Sequence, residues 1–377
     1  MKKIIPAFCL SLTIGLCPIS SSIAFAADSP LSLKLGGYLN AWIGYNDGSK
    51  EKLGTPVNKV AVGTEGKIFF TADSTLKNGL KVGAVAMLNI SRLNQNGWLD
   101  HVYIHTEGRF GKLLLGATDN VAVWLHHKVT DAGVFDVDDT RLASWLGLRI
   151  KTKLYSTGMN FDGNSQKVSY FSPKISGFQV AASYIPGARY ATEFSEGDGA
   201  YNSTVLRPAG GVNKFSSAYV VSAAYDGKFG GFALGADTSF IGINNVGIDA
   251  TTQYNLGLKL EYQGLRLGAG GAFADNGSTK GLGNNYAYDF GVGYENDAYF
   301  VTASYYYAKN GKDETGKNWQ VSKASFEMYQ LSGRYKLSAG LDAFASLGYV
   351  KVDDKSGITS ASNTDVWSVV TGLAMRF

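Results

Sequence analysis

Apolar and polar side chains alternate along most of this sequence, and that period limits its fold more than any other feature. Tyr254, Leu256, Leu258, Leu260 and Tyr262 share one face, while Gln253, Asn255, Gly257, Lys259 and Glu261 share the other. A helix scatters residues spaced in this way, whereas a strand separates them. The pattern continues through Leu265, Leu267 and Ala269, then through Tyr286, Tyr288, Phe290, Val292 and Tyr294. It is present near the start, at Leu31, Leu33, Leu35, Leu39 and Ile43, and at the end, at Trp367, Val369, Leu373, Met375 and Phe377.

A soluble sandwich also alternates, so the aromatic residues and the polar face must decide. The chain carries 22 Tyr and 20 Phe. Tyr45, Tyr254, Tyr262, Tyr286, Tyr294, Tyr349 and Phe377 lie near the ends of apolar faces. A lipid-facing wall places amphipathic rings at both headgroup levels, which a sandwich core does not need. The opposite face is rich in Gly, Asn and charge. Unpaired charge is costly in a dry core, but it can line water. Beyond residue 26 no apolar run exceeds eight residues, as in Phe229 to Ala236, so no helix is long enough to span a bilayer. The remaining structure that satisfies its own backbone in lipid is a closed barrel.

Sixteen such segments can be laid out, starting near Leu31, Lys67, Leu80, Trp98, Gly111, Lys167, Phe178, Ala218, Phe232, Thr251, Leu265, Asn284, Tyr299, Ser325, Leu341 and Asp365. Connections alternate in length. Tight ones carry turn residues: Lys77-Asn78-Gly79, Gly108 to Gly111, Gln263-Gly264, Asn296-Asp297 and Ser338-Ala339-Gly340. Longer ones lie between them, such as Asn46 to Val57, Pro186 to Ser217, Lys309 to Lys323 and Asp353 to Thr364. Short periplasmic turns with long external loops are the habit of transmembrane barrels, and this count puts both termini in the periplasm. The predicted fold is therefore all-β: one closed antiparallel barrel over residues 27–377, in the outer membrane.

Residues 1–26 read as a secretory signal. Lys2 and Lys3 precede an apolar stretch from Ile4 to Leu16, and Ala24-Phe25-Ala26 offers a small-x-small cleavage site. Cys9 and Cys17 are the only cysteines, so the mature chain from Ala27 has neither disulfides nor thiol chemistry. The signal holds two of the 35 basic residues and none of the 31 acidic ones, leaving 33 against 31, a net charge of +2. That balance gives no footprint for nucleic acid.

Three stretches carry a family resemblance. Phe110 to Gly116 reads FGKLLLG, Asn164 to Pro173 reads NSQKVSYFSP with Gly177-Phe178 after it, and the last strand ends in Phe377. In this order they resemble the general bacterial porins of Gram-negative outer membranes, and the strand layout extends the likeness over nearly all of the mature chain. The resemblance implies a water-filled channel for passive diffusion of small hydrophilic solutes and ions. It also implies a homotrimer, a C-terminal Phe377 read by the outer-membrane assembly machinery, and contact with membrane lipid and lipopolysaccharide. Finally, it implies that the third external loop folds into the lumen. That loop would run over residues 118–162, long enough to be functional, and would narrow an otherwise wide pore.

Charge in this loop is zoned. Asp131, Asp136, Asp138 and Asp139 come first; Arg141, Arg149, Lys151 and Lys153 follow; Asp119, Lys128 and Asp162 complete the set. In the family the loop sets carboxylates against a basic wall, and the field across the narrow zone orients polar solutes. Carried over by position, Lys67 matches one wall residue, and strand parity adds Lys167. Ala117 and Tyr38 stand where some members have Arg and Lys, so the basic ladder is thinned. The expected constriction acids are thus Asp131, Asp136, Asp138 and Asp139, with Lys67, Arg141, Arg149 and Lys167 as the basic set. The acidic run shows no Gly turn with a closing Glu, so no calcium site is expected, nor any other metal or cofactor.

Other functions leave other marks. An enzyme would need a nucleophile or a base with partners. His101 and His105 lie roughly 13 Å apart on one strand face, too far to share a proton or a metal. His126 and His127 are adjacent in the loop without a nucleophile motif. An enzyme is therefore not expected. A sugar- or anion-specific channel would need an aromatic path or rings of basic residues. Trp124, Phe135 and Trp145 are the loop's candidates, with packing against the wall as the plainer role. A surface receptor or adhesin would use the Gly/Ser-rich loop from Pro186 to Ser217.

Overall fold

The computed structural model describes residues 31–48, 58–90, 99–138, 156–186, 215–245, 250–275, 284–309, 324–354 and 364–377. The predicted signal, most of Pro186 to Ser217, and Asp139, Arg141, Trp145, Arg149, Lys151 and Lys153 lie outside them.

The strands run in order as β1 (Ser32–Asn46), β2 (Val60–Thr75), β3 (Lys81–Asn89), β4 (Leu99–Gly108), β5 (Gly111–Ala117) and β6 (Gln166–Phe171). They continue as β7 (Phe178–Ile185), β8 (Phe215–Phe229), β9 (Phe232–Asn245), β10 (Thr251–Tyr262) and β11 (Leu265–Asp275). The last are β12 (Asn285–Glu295), β13 (Tyr299–Lys309), β14 (Ala324–Ser338), β15 (Leu341–Asp354) and β16 (Thr364–Arg376). Each pairs antiparallel with its sequence neighbours, and β1 closes the barrel on β16, from Tyr38 opposite Arg376 to Asn46 opposite Ser368. One residue further, Gly37 and Phe377 exchange backbone hydrogen bonds of 2.9 and 3.1 Å, so the C-terminal residue extends the closing seam.

Fifteen of the sixteen starts fall within three residues of the expected ones. The exception is β2, which begins at Val60 rather than Lys67. Thr64 and Gly66 interrupt its outward apolar face and hide the period, yet Val60 to Gly66 pairs with Tyr45 to Leu39. Gly63 leaves room for the inward Trp42 ring, which a side chain there would strike.

The alternation becomes the wall. On β12, Tyr286, Tyr288, Phe290, Val292 and Tyr294 stay exposed while Asn285, Ala287, Asp289, Gly291 and Gly293 are buried. Val62 is 75% exposed and Leu33 71%. A continuous apolar band of this kind suits lipid rather than water. Two aromatic girdles bound it. At the external end, ring contacts link Tyr219, Phe240 and Tyr254, and then Tyr305, Tyr329, Tyr349 and Trp367. At the turn end they link Phe178, Tyr225 and Phe229, and Phe232 with Tyr262.

Two glycines of the FGKLLLG stretch have physical reasons. Gly111 has φ +110° and Gly116 has φ +138°, a region L side chains avoid. A Cβ on Gly111 would drive into the Phe171 carbonyl of β6, and one on Gly116 into the Val102 carbonyl of β4.

Candidate functional site

The connection from β5 to β6 turns inward. Its first turn is a short helix, α1 (Val121–Leu125), capped by Asn120, whose side-chain oxygen accepts from the Ala122 and Val123 amides. The amide of Asn120 donates to Asp162 Oδ1 at 2.7 Å, and Lys167 Nζ lies 3.0 Å from Asp162 Oδ2. Both charged side chains are fully buried. Burial pushes the Asp162 carboxyl up, opposed by the Lys167 charge and the Asn120 hydrogen bond. This clamp ties the start of the loop to its end.

Beyond α1 the loop is fastened to inward residues of successive strands. Val121 N donates to Ser183 Oγ of β7 at 3.1 Å. Asp237 of β9 receives the His127 amide at 2.6 Å, with His126 Nδ1 at 3.1 Å and His127 Nδ1 at 3.0 Å from its oxygens. His127 Nε2 lies 2.8 Å from Asp226 of β8. The hydrogen bond to Asp237 raises the His127 pKa, burial opposes it, and Asp226 adds to the rise. On the returning limb, Thr157 donates to Asp289 of β12 at 2.5 Å and stands 3.0 Å from His126 Nε2.

Asp131 is the next anchor. Its carboxylate accepts from the Gly133 and Val137 amides at 2.8 and 3.0 Å, from Ser304 of β13 at 3.1 Å and from Gln330 of β14 at 3.0 Å. Burial pushes this carboxyl up to about 6, against the pull of those hydrogen bonds. Phe135 is buried edge-on against Trp42 of β1, ring centroids 5.1 Å apart. The described loop thus runs inside the barrel from β7 round to β14 and β1.

The predicted acids separate. Asp131 and Asp138 are buried, and Asp138 accepts from Ser156 at 2.9 Å. Burial raises the Asp138 pKa, with Lys128 opposing. Asp136 keeps 37% side-chain exposure and pairs with Lys128 at 3.5 Å. Asp139 lies outside the described residues, as do Arg141 and Arg149. Of the wall bases, Lys67 is partly exposed and paired with Asp100, which also accepts from Asn164 at 2.8 Å. Lys167 is the clamp residue already described. Ala117 is fully buried, and Tyr38 donates to Glu65 at 3.1 Å. His101 and His105 part company: His101 faces Asp119 at 3.9 Å and His105 faces Asp73 at 3.4 Å. Among the described residues no group of three or more His, Cys, Asp or Glu is arranged to hold a metal ion.

Two cations escaped the sequence reading. Arg334 of β14 donates to the Gly133 carbonyl at 3.4 Å and lies within electrostatic reach of both Asp136 and Arg376. Arg376 of β16 pairs with Asp342 at 3.1 Å and is 56% exposed. Inward parity was their available signal, since each lies on the polar face of its strand.

A family model described as Gram-negative porin matches residues 12–355. No curated protein matches the chain significantly. Among solved structures, OmpF of Salmonella typhi in complex with daunomycin is similar at 13% identity and TM-score 0.62, covering 92% of this chain and 97% of that one. The anion-selective porin of Comamonas acidovorans is similar at 15% identity and TM-score 0.59, over 92% of this chain and 100% of that one. In vitro folded OmpT of Vibrio cholerae, in trimer form, is similar at 12% identity and TM-score 0.60, over 93% and 100%. At these identities the likeness is one of fold.

Proposed function

The chain belongs to the Gram-negative porin family and is an outer-membrane diffusion channel; from this premise we propose how its inner loop governs passage. Small hydrophilic solutes and ions cross passively, through a water-filled lumen narrowed by residues 118–162. The observation that carries this reading is the fastening of the loop to inward residues from Ser183 to Gln330, which fixes a polar partition inside the barrel. In this reading Asp131, Asp138 and Lys167 hold the partition in place, because each is buried and bonded. Asp136, with Asp139 beside it in sequence, faces the water path. Lys67, Arg334 and Arg376 are the basic side of that path, joined by Arg141 and Arg149 of the loop. A transverse field between the two sides orients dipolar solutes.

The histidines support a channel over an enzyme. Both ring nitrogens of His126 and of His127 contact other side chains: the wall carboxylates Asp237 and Asp226, and the hydroxyl of Thr157, whose own proton goes to Asp289 rather than to the imidazole. They serve as fasteners. We also propose removal of residues 1–26 on export, a homotrimer, reading of Phe377 by the assembly machinery, and contact of the external girdle with lipopolysaccharide.

Conductance of the refolded mature protein in a planar bilayer tests the reading. Steps in groups of three, scaling about linearly with bulk salt, are expected. A folded barrel that carries no current would overturn it.

A further inference from the structure

Among the described residues, the exposed large apolar side chains sit on outward strand faces, in the periplasmic turns or at the chain-terminal strand ends, with one exception. Trp124, on α1 inside the lumen, is 42% exposed. It opens onto a cleft of about 710 Å³ at the turn end of the lumen, beneath the loop. Phe171 stands edge-on to the indole at 6.3 Å and fixes its plane. Lys112 of β5 holds its ammonium 6.0 Å from the indole centroid, while Glu107, opposite it in register and lining the same cleft, pairs with Lys81 at 4.0 Å. Across the cleft, Lys174 neutralises Asp226 at 2.7 Å, and Gln179 supplies an amide.

A half-exposed indole in a water-filled passage leaves apolar surface unsatisfied, and an ammonium whose acidic neighbour pairs with Lys81 leaves charge unsatisfied. One class of solute answers both: a flat ring bearing a carboxylate. We propose that this cleft is a binding site for aromatic monocarboxylates on the periplasmic side of the constriction, with the ring stacked on Trp124 and the carboxylate on Lys112. The proposal rests on the channel reading, because only an open lumen brings solute to the cleft. An offset-stacked ring on Trp adds to the gain from burial alone. The charged contact adds a directional anchor. Pyranose sugars also stack on indoles, but they bring the ammonium no counter-charge.

The test is single-channel recording with benzoate added on the turn side. Reversible interruptions of the open current are expected, with affinity falling about tenfold in Trp124→Ala and in Lys112→Gln. Trp124→Phe and Lys112→Arg, which keep ring and charge, should retain most of the block. An unblocked open channel, or equal block in Trp124→Ala, overturns the site while leaving the channel reading standing. Equal block by benzyl alcohol or glucose overturns the anionic assignment. A folded protein with no conductance overturns the channel reading itself, and this site with it.

Discussion

Asp131 is surrounded by donors from its own loop and from β13 and β14, so removing its carboxylate leaves several buried groups unmatched. Each unmatched group costs about 1–3 kcal/mol. Asp131→Ala should loosen the middle of the partition without opening the barrel, and open-channel noise should rise while the folded fraction holds. Recordings as quiet as wild type would count against the anchoring role. Its carboxyl, raised to about 6, holds a proton in the folded state that the unfolded chain has lost between about pH 4 and pH 6. Its contribution to stability therefore falls as pH rises through that window. His127 carries the complementary fastening. Its pKa is raised by the bond to Asp237, so its contribution is full below the ordinary histidine value and fades as pH climbs through the folded one. Loop noise should be greater at pH 9 than at pH 6, and His127→Gln should flatten that dependence. At this scale the sequence was least legible. Asp131 and Asp136 are five residues apart in one acidic run, and only the wall that meets Asp131 distinguishes anchor from pore lining.

At the scale of the element, periodicity was a sufficient guide wherever the outward face was continuous. It slipped where that face is interrupted, as at Thr64 and Gly66 in the first half of β2. The two-residue turns were legible for a local reason: Gln263 and Gly264 have φ +47° and +86°, the pair of left-handed residues a type I′ hairpin demands. Gly116 was legible only as part of a familiar stretch, and its physical reason lies in the neighbouring strand. With φ +138° and the Val102 carbonyl against its missing side chain, it cannot take even a methyl group without moving β4 or β5. Gly116→Ala should cost about 1–3 kcal/mol and lower the urea midpoint of the refolded barrel. Gly79→Ala, with φ +82° and nothing near its Cβ, isolates the backbone strain from the clash and should cost less. Equal midpoints for the two variants would remove the packing argument.

Over the whole molecule, the closed sheet turns sixteen separate sequence patterns into two environments, lipid outside and water inside, and the loop divides the second of these. Strand parity said which residues face the lumen but not which of them face each other across it, because that depends on the path of the loop. Arg334 and Arg376 illustrate the gap: their inward direction was readable, and the approach of Arg334 to Asp136 and to Arg376 was not. The geometry sets a test of ion preference. Asp136 is partly neutralised by Lys128, and Arg376 by Asp342, so the surplus across the path is small and sensitive to single charges. Arg334→Gln combined with Arg376→Gln should move the reversal potential in a salt gradient toward cation preference, and Asp136→Asn should move it the other way. Charges act over about 10 Å in 0.1 M salt but about 3 Å in 1 M. The shifts should therefore be largest in dilute salt and shrink sharply in concentrated salt. Reversal potentials that ignore all three substitutions in dilute salt would mean that the selective zone lies elsewhere in the lumen.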